Sequence, residues 1–131
     1  MMNTVTLAAL EAFPSQLEAH YAAIPSGFTQ WAPASWAGVP SEPLTALEQV
    51  CHVRDIEIDG YHVRFQRTRD ESHPTLASID TDALVIERAY GKADAAQALL
   101  DFRAARARTV TLLAGLAPEQ FDRTAVFEGY G

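Results

Sequence analysis

The sequence predicts an all-α fold, a bundle of helices packed up and down, and three observations carry the prediction. Apolar residues recur at spacings of three and four in three long segments, as on the buried stripe of an amphipathic helix. Proline and glycine gather between those segments, in residues 25–43 and again at Pro74, Gly91 and Pro118. Two of the segments also open with helix-start signals, Ser41-Glu42-Pro43 and Asp94 followed by Gln97.

The first stripe is Leu7, Leu10, Phe13, Leu17, Tyr21 and Ile24. Pro14 lies within it, removing a backbone donor and crowding the preceding turn, so two helical pieces meeting at a kink or break are expected. Residues 25–43 read as a connecting loop. Its Trp31 and Trp36 are expected to anchor it to the body rather than to form a ligand cage. The second helix is expected to take Ser41 as its N-cap and to run to about Arg69, roughly 40 Å at ~1.5 Å per residue. Gly60 is its weak point, by about 1 kcal/mol relative to alanine. Leu44, Leu47, Cys51, Ile58 and Phe65 mark one apolar side, and Ile56 and Val63 another.

Residues 70–93 form a long connection. Periodicity leaves Ala83-Leu84-Val85-Ile86 open between an extended stretch and a short helix. The third helix follows the Asp94/Gln97 signal, with Leu99, Phe102, Val110, Leu113 and Leu116 on its stripe. Pro118 ends it and suits the first turn of a short helix to about Asp122. The residues after Arg123 carry no helical signal. Arg103, Arg106 and Arg108 read as a solvated basic face paired with nearby acids.

At 131 residues the chain suits one domain, residues 1–131, with a core of its own. A net charge of −7 opposes phosphate backbones, so no nucleic-acid partner is expected. No apolar run reaches the ~20 residues that a membrane span needs, and the N-terminal segment lacks the basic start of a secretory signal. The expected address is the cytoplasm, without membrane association. The single cysteine, Cys51, allows no internal disulfide and follows the apolar pattern, which predicts a buried, inert thiol.

Chemistry is concentrated between Glu48 and His62. On a regular helix His52, Asp55, Asp59 and His62 fall within about 80° of one another, with Glu48 near the same stripe. Imidazoles and carboxylates converging on one helical face are what one wall of a zinc, nickel or iron site needs. A solvated face of local ion pairs gives the same spacing. His52 is the leading metal-ligand candidate because Val53, Ile56 and Val63 lie close to its face, with Asp55 and Asp59 behind it. No nucleophile elbow, phosphate loop or dinucleotide fingerprint is present, so no catalytic residue is assigned.

The order Trp31-x-Pro33, Trp36, then Glu48-x-x-x-His52-Val53-Arg54-Asp55-x-Glu57 resembles the DinB-like superfamily of four-helix bundles. Arg88-x-Tyr90, Phe102-Arg103 and the segment from Leu116 to Arg123 extend the resemblance over most of the chain. It implies an up-down-up-down bundle, frequent dimerisation, and often a divalent metal held by three histidines. One of those ligands lies on the second helix and carries over to His52. The other two come from an H-x-x-x-H on the fourth helix, and no such motif occurs here. His20, His62 and His73 do not stand where those ligands belong. The fourth helix is therefore expected to be missing through truncation or supplied by another chain, unless this member has lost the metal. What the resemblance implies for activity is a metal-dependent, thiol-using transferase or hydrolase. The alternative is a non-catalytic dimeric module that binds a partner or a small ligand.

Overall fold

In the computed structural model, which describes residues 2–129, Asn3 starts the first helix. Its side chain accepts from the amides of Val5 at 2.8 Å and Thr6 at 3.2 Å, satisfying two donors that a helix start leaves open. Helix α1 then runs from Thr4 to Ala22 as one element, and Pro14 sits buried inside it. The break expected at Pro14 is not there. The Leu10 carbonyl, deprived of its donor by the proline, accepts instead from Arg106 Nη1 at 3.1 Å.

The second rod comprises α2 (Ala46–Asp55), a π-helical turn (Ile56–Tyr61) and α3 (His62–Asp70). Its N-cap is Thr45, not Ser41. Thr45 Oγ1 accepts from the Glu48 amide at 3.2 Å, and Glu48 Oε1 accepts from the Thr45 amide at 2.9 Å. This reciprocal pair satisfies two open donors at once and outcompetes the earlier serine. Within 70–93 the chain forms a two-residue strand β1 (Thr75–Leu76), helix α4 (Thr81–Glu87) and a 3-10 turn (Tyr90–Lys92). Ala83 to Ile86 are thus helical, capped by Asp80, whose side chain accepts from the Ala83 amide at 3.0 Å. Helix α5 (Ala95–Ala114) follows Asp94, which caps the Gln97 amide at 3.1 Å. Gln97 itself turns to Asp101, so only half of the capping box forms. A 3-10 turn (Pro118–Asp122) leads to β2 (Val126–Phe127), paired in parallel with β1.

Helix α5 lies lengthwise against both α1 and the second rod, which makes it the centre of the bundle. Its buried residues are Ala98, Phe102, Ala105, Arg106, Thr109 and Leu113, spaced by threes and fours. The core cluster joins Leu47, Val50 and Cys51 of α2 to Tyr90 and Ala98, with Tyr21, Leu84, Val85 and Leu99 around it. The fold is an all-α helical bundle, as expected, with α4 as a short fourth helix among the described residues. None of these helices is long and apolar enough to cross a membrane.

The π turn overturns the expected phase of the second rod. One extra residue in a turn rotates everything beyond it by about 100°. Ile58, expected in the core, is 39% exposed, whereas Glu57 beside it is 1% exposed. Val63 also faces outward and His62 inward. Glu57 is buried because Arg106 holds it by two bonds, Nε to Oε2 at 2.9 Å and Nη2 to Oε1 at 3.0 Å. The Arg106 guanidinium also lies over Phe13 and Phe102, whose rings meet edge to face at 5.8 Å. Arg106 therefore belongs to the interior, whereas Arg103 is exposed and pairs with Glu18 at 2.7 Å, as expected of the solvated basic face. A buried pair that loses one member leaves an uncompensated charge, costing about 3–5 kcal/mol. Arg106→Leu is expected to lower unfolding free energy by that amount in urea titrations. Adding Glu57→Leu should restore most of the loss, and additive losses would count against the coupling.

Candidate functional site

The capping box already fixes one of the acidic groups near His52, since Glu48 is committed to the Thr45 amide. One turn past His52, Asp55 is buried at the end of α2. Arg54 donates to both of its oxygens, at 2.9 and 3.2 Å, and the Tyr90 hydroxyl donates to Oδ2. Arg88 Nη1 stands 3.1 Å from the same oxygen and donates to Asp59 Oδ2 at 2.6 Å. The two carboxylates named as weak metal candidates are therefore brought together, but around the Arg88 guanidinium. Their lone pairs serve arginine and tyrosine donors that tie residues 88–90 to the second rod.

Burial pushes the Asp55 carboxyl up, but hydrogen bonds from Arg54 and Tyr90 and the charges of Arg54 and Arg88 outweigh it. The net effect holds the group below the ordinary carboxylate range. The Tyr90 hydroxyl moves the other way, raised first by burial and then by its bond to Asp55. Burial likewise raises the Cys51 thiol, which fits the inert side chain expected of it.

His62 lies across the rod from His52. An uninterrupted helix would hold the two about 80° apart, and the extra residue of the π turn widens this to about 180°. His62 donates from Nε2 to the Ala105 carbonyl on α5 at 2.8 Å, which occupies it in the core. His52 is half-buried on the near side. Its Nε2 lies 3.6 Å from Glu42 Oε2, too far for a hydrogen bond. Glu42 was not expected at the site. It precedes the helix, and only the fold of the 41–45 segment brings it to a residue ten positions on. Among the described residues no three His, Cys, Asp or Glu side chains converge closely enough to hold a metal ion.

No family model matches the chain, and no curated protein does. Among solved structures the chain is similar in fold to YfiT from Bacillus subtilis, described as "a probable metal-dependent hydrolase with an unusual four-helix bundle topology". The TM-score is 0.79 at 21% identity, covering 95% of this chain and 70% of YfiT. This establishes a shared four-helix-bundle architecture.

The lowered Asp55 pKa gives stability that is present above the ordinary carboxyl value, near 3.8, and lost as pH falls through the still lower folded value. Melting temperature against pH is expected to fall in that acid window for the native chain. Asp55→Asn should be less stable at neutral pH and should lose that part of the acid dependence. Parallel acid limbs in the two proteins would remove Asp55 from this role.

Proposed function

We propose that the chain is the body of a metal-dependent, hydrolase-like bundle in which His52 presents one imidazole to a divalent cation: zinc, nickel or iron. The observation that carries this reading is a contrast along the second rod. Glu48 serves a helix cap, Asp55 and Asp59 serve arginines, and His62 serves a backbone carbonyl. The His52 imidazole has no hydrogen bond among the described residues and keeps a carboxylate oxygen 3.6 Å from its Nε2. Two donors at that separation can flank one ion at bond lengths of about 2.0–2.2 Å. The architecture shared with YfiT, described as "a probable metal-dependent hydrolase", supports the same reading. Its finer placement among DinB-like bundles rests on the order of sequence motifs.

The described residues do not fit a complete metal site, because a tetrahedral site needs three or four ligands and no third His, Cys, Asp or Glu among them joins this pair, whose Glu42 side chain is itself exposed. His52 and Glu42 form at most a half-site, completed by donors from outside the described residues. Metal-free protein titrated with Zn²⁺ or Ni²⁺ in a calorimeter should therefore bind weakly, in the micromolar range or above. His52→Ala should abolish that binding while leaving the metal-free melting temperature nearly unchanged. Tight stoichiometric binding that survives His52→Ala would mean the ligands lie elsewhere.

The missing third donor favours a second reading, a non-catalytic module that works by self-association. An apolar groove of about 380 Å³ between α1 and α2, lined by Leu17, Tyr21, Ile24, Ala46 and Val50, suits burial against a second copy. The second reading requires a homodimer. Multi-angle light scattering at micromolar concentration should return about twice the 14.3 kDa chain mass. A monomer at that concentration would remove the second reading, and an unchanged metal titration in His52→Ala would remove the first.

A further inference from the structure

Of the two tryptophans expected to anchor the segment 25–43, Trp36 is partly buried, whereas Trp31 is 59% exposed and does not serve as an anchor, and Phe28 is 55% exposed. Exposed aromatics of this size in one loop form an apolar surface that usually marks a binding site. Phe28, Trp31, Pro33, Trp36, Val39 and Leu44 line a cavity of about 330 Å³, the volume of a small ligand. The walls are fixed from behind. The Phe28 amide donates to the Pro25 carbonyl at 3.1 Å, and the Trp31 amide to the Phe28 carbonyl at 3.2 Å. The Val39 amide donates to the Trp36 carbonyl at 3.0 Å, and the Leu47 amide ties helix α2 to the Thr29 carbonyl at 2.9 Å.

Charge decides the class of ligand. Elsewhere in the molecule aromatic faces receive internal guanidinium groups: Arg54 lies over Tyr90, Arg64 over Phe127, and Arg106 over Phe13 and Phe102. Among the described residues no such cation lies over Phe28, Trp31 or Trp36. Glu42 is the single charged residue between Pro25 and Thr45, next in the chain to Ser41 on the cavity wall, and the whole chain is acidic. Electron-rich ring faces with no cation of their own, on a chain of net charge −7, attract a cation that is itself weakly hydrated.

We propose that this cavity binds a small soluble molecule carrying an alkylated ammonium group. The inference does not rest on a metal at His52, and its test is run with chelator present to keep the two apart. Choline and 3,3-dimethyl-1-butanol, its uncharged analogue of the same shape, are titrated separately while the two indole N–H resonances are followed by NMR. Choline should give saturable shifts with a Kd below about 10 mM and bind about five- to thirty-fold more tightly than the alcohol. Trp31→Ala, at an exposed position and with helical circular dichroism as the folding check, should weaken choline binding at least about five-fold. Glu42→Gln should weaken choline while leaving the alcohol unchanged. Equal affinity for the alcohol, absence of saturation, or survival of binding in Trp31→Ala would overturn the proposal. So would binding to phosphatidylcholine vesicles without binding to free choline.

Discussion

A proline at position 14 takes the amide hydrogen that the Leu10 carbonyl would otherwise accept, inside a helix that is pressed against its neighbour. A buried acceptor left unpaired costs about 1–3 kcal/mol, so the fold has to bring a donor to it. Arg106 reaches across from α5 to do so, and its charge in turn requires a counter-charge in the same dry space. Glu57 supplies it from the second rod. One guanidinium thus links α1, α5 and the π turn, with Phe13 and Phe102 screening it from water. Such a triad contributes less to net stability than to uniqueness. Sliding any one helix would strand a charge, so the three rods have a single favourable register.

The π turn follows from the same constraint and determines what the second rod can offer chemically. With the extra residue in place, Glu57 reaches the interior and His62 reaches the Ala105 carbonyl, while Ile58 and Val63 are left outside. The price is an interrupted polar stripe: the imidazoles ten residues apart face different neighbours. Asp55 and Asp59 stay close to each other, but Arg88 and Tyr90 come with them from the connection after α4. Cations fixed on those carboxylates oppose any metal ion there, both by charge and by occupying the lone pairs. Their work is to hold residues 88–90, and through them α4 and the start of α5, against α2.

Much of this was legible in the chain. The stripe residues Leu7 to Tyr21 lie on helix, as their spacing indicates, and Asp94 begins α5 where its side chain indicates. Thr45-x-x-Glu48 is a capping box visible in the sequence, and its reciprocal bonds place the start of α2 after Thr45 rather than Ser41. The continuity through Pro14 was not legible, because it depends on a donor 96 positions away in sequence. Nor was the burial of Arg106: three arginines on one helix look alike until one of them meets Glu57, 49 positions back. A π turn has no compositional mark, since its cost is met by tertiary contacts. The error it introduces therefore spreads to every residue beyond it. At the site, the capture of Asp55 and Asp59 by arginine and tyrosine was not legible. Nothing in the local sequence shows that Arg88 and Tyr90 fold back onto them.

Across the molecule, polar groups divide by position. From Asp55 onward along the second rod, the buried carboxylates and His62 are paired with arginine, tyrosine or backbone, and among the described residues no buried side-chain nitrogen or oxygen lacks a partner. A group already satisfied in this way gains little from a new ligand and loses a bond by accepting one. Groups with coordinating or binding capacity to spare gather at the entry to α2, where His52 faces Glu42 and the loop from Phe28 to Leu44 turns aromatic faces to solvent. That end is held by backbone and capping bonds, Leu47 to Thr29 and Thr45 with Glu48, which leave its remaining side chains free. Recognition placed there can vary without disturbing the Arg106 triad, because the two regions share no hydrogen-bonded residue.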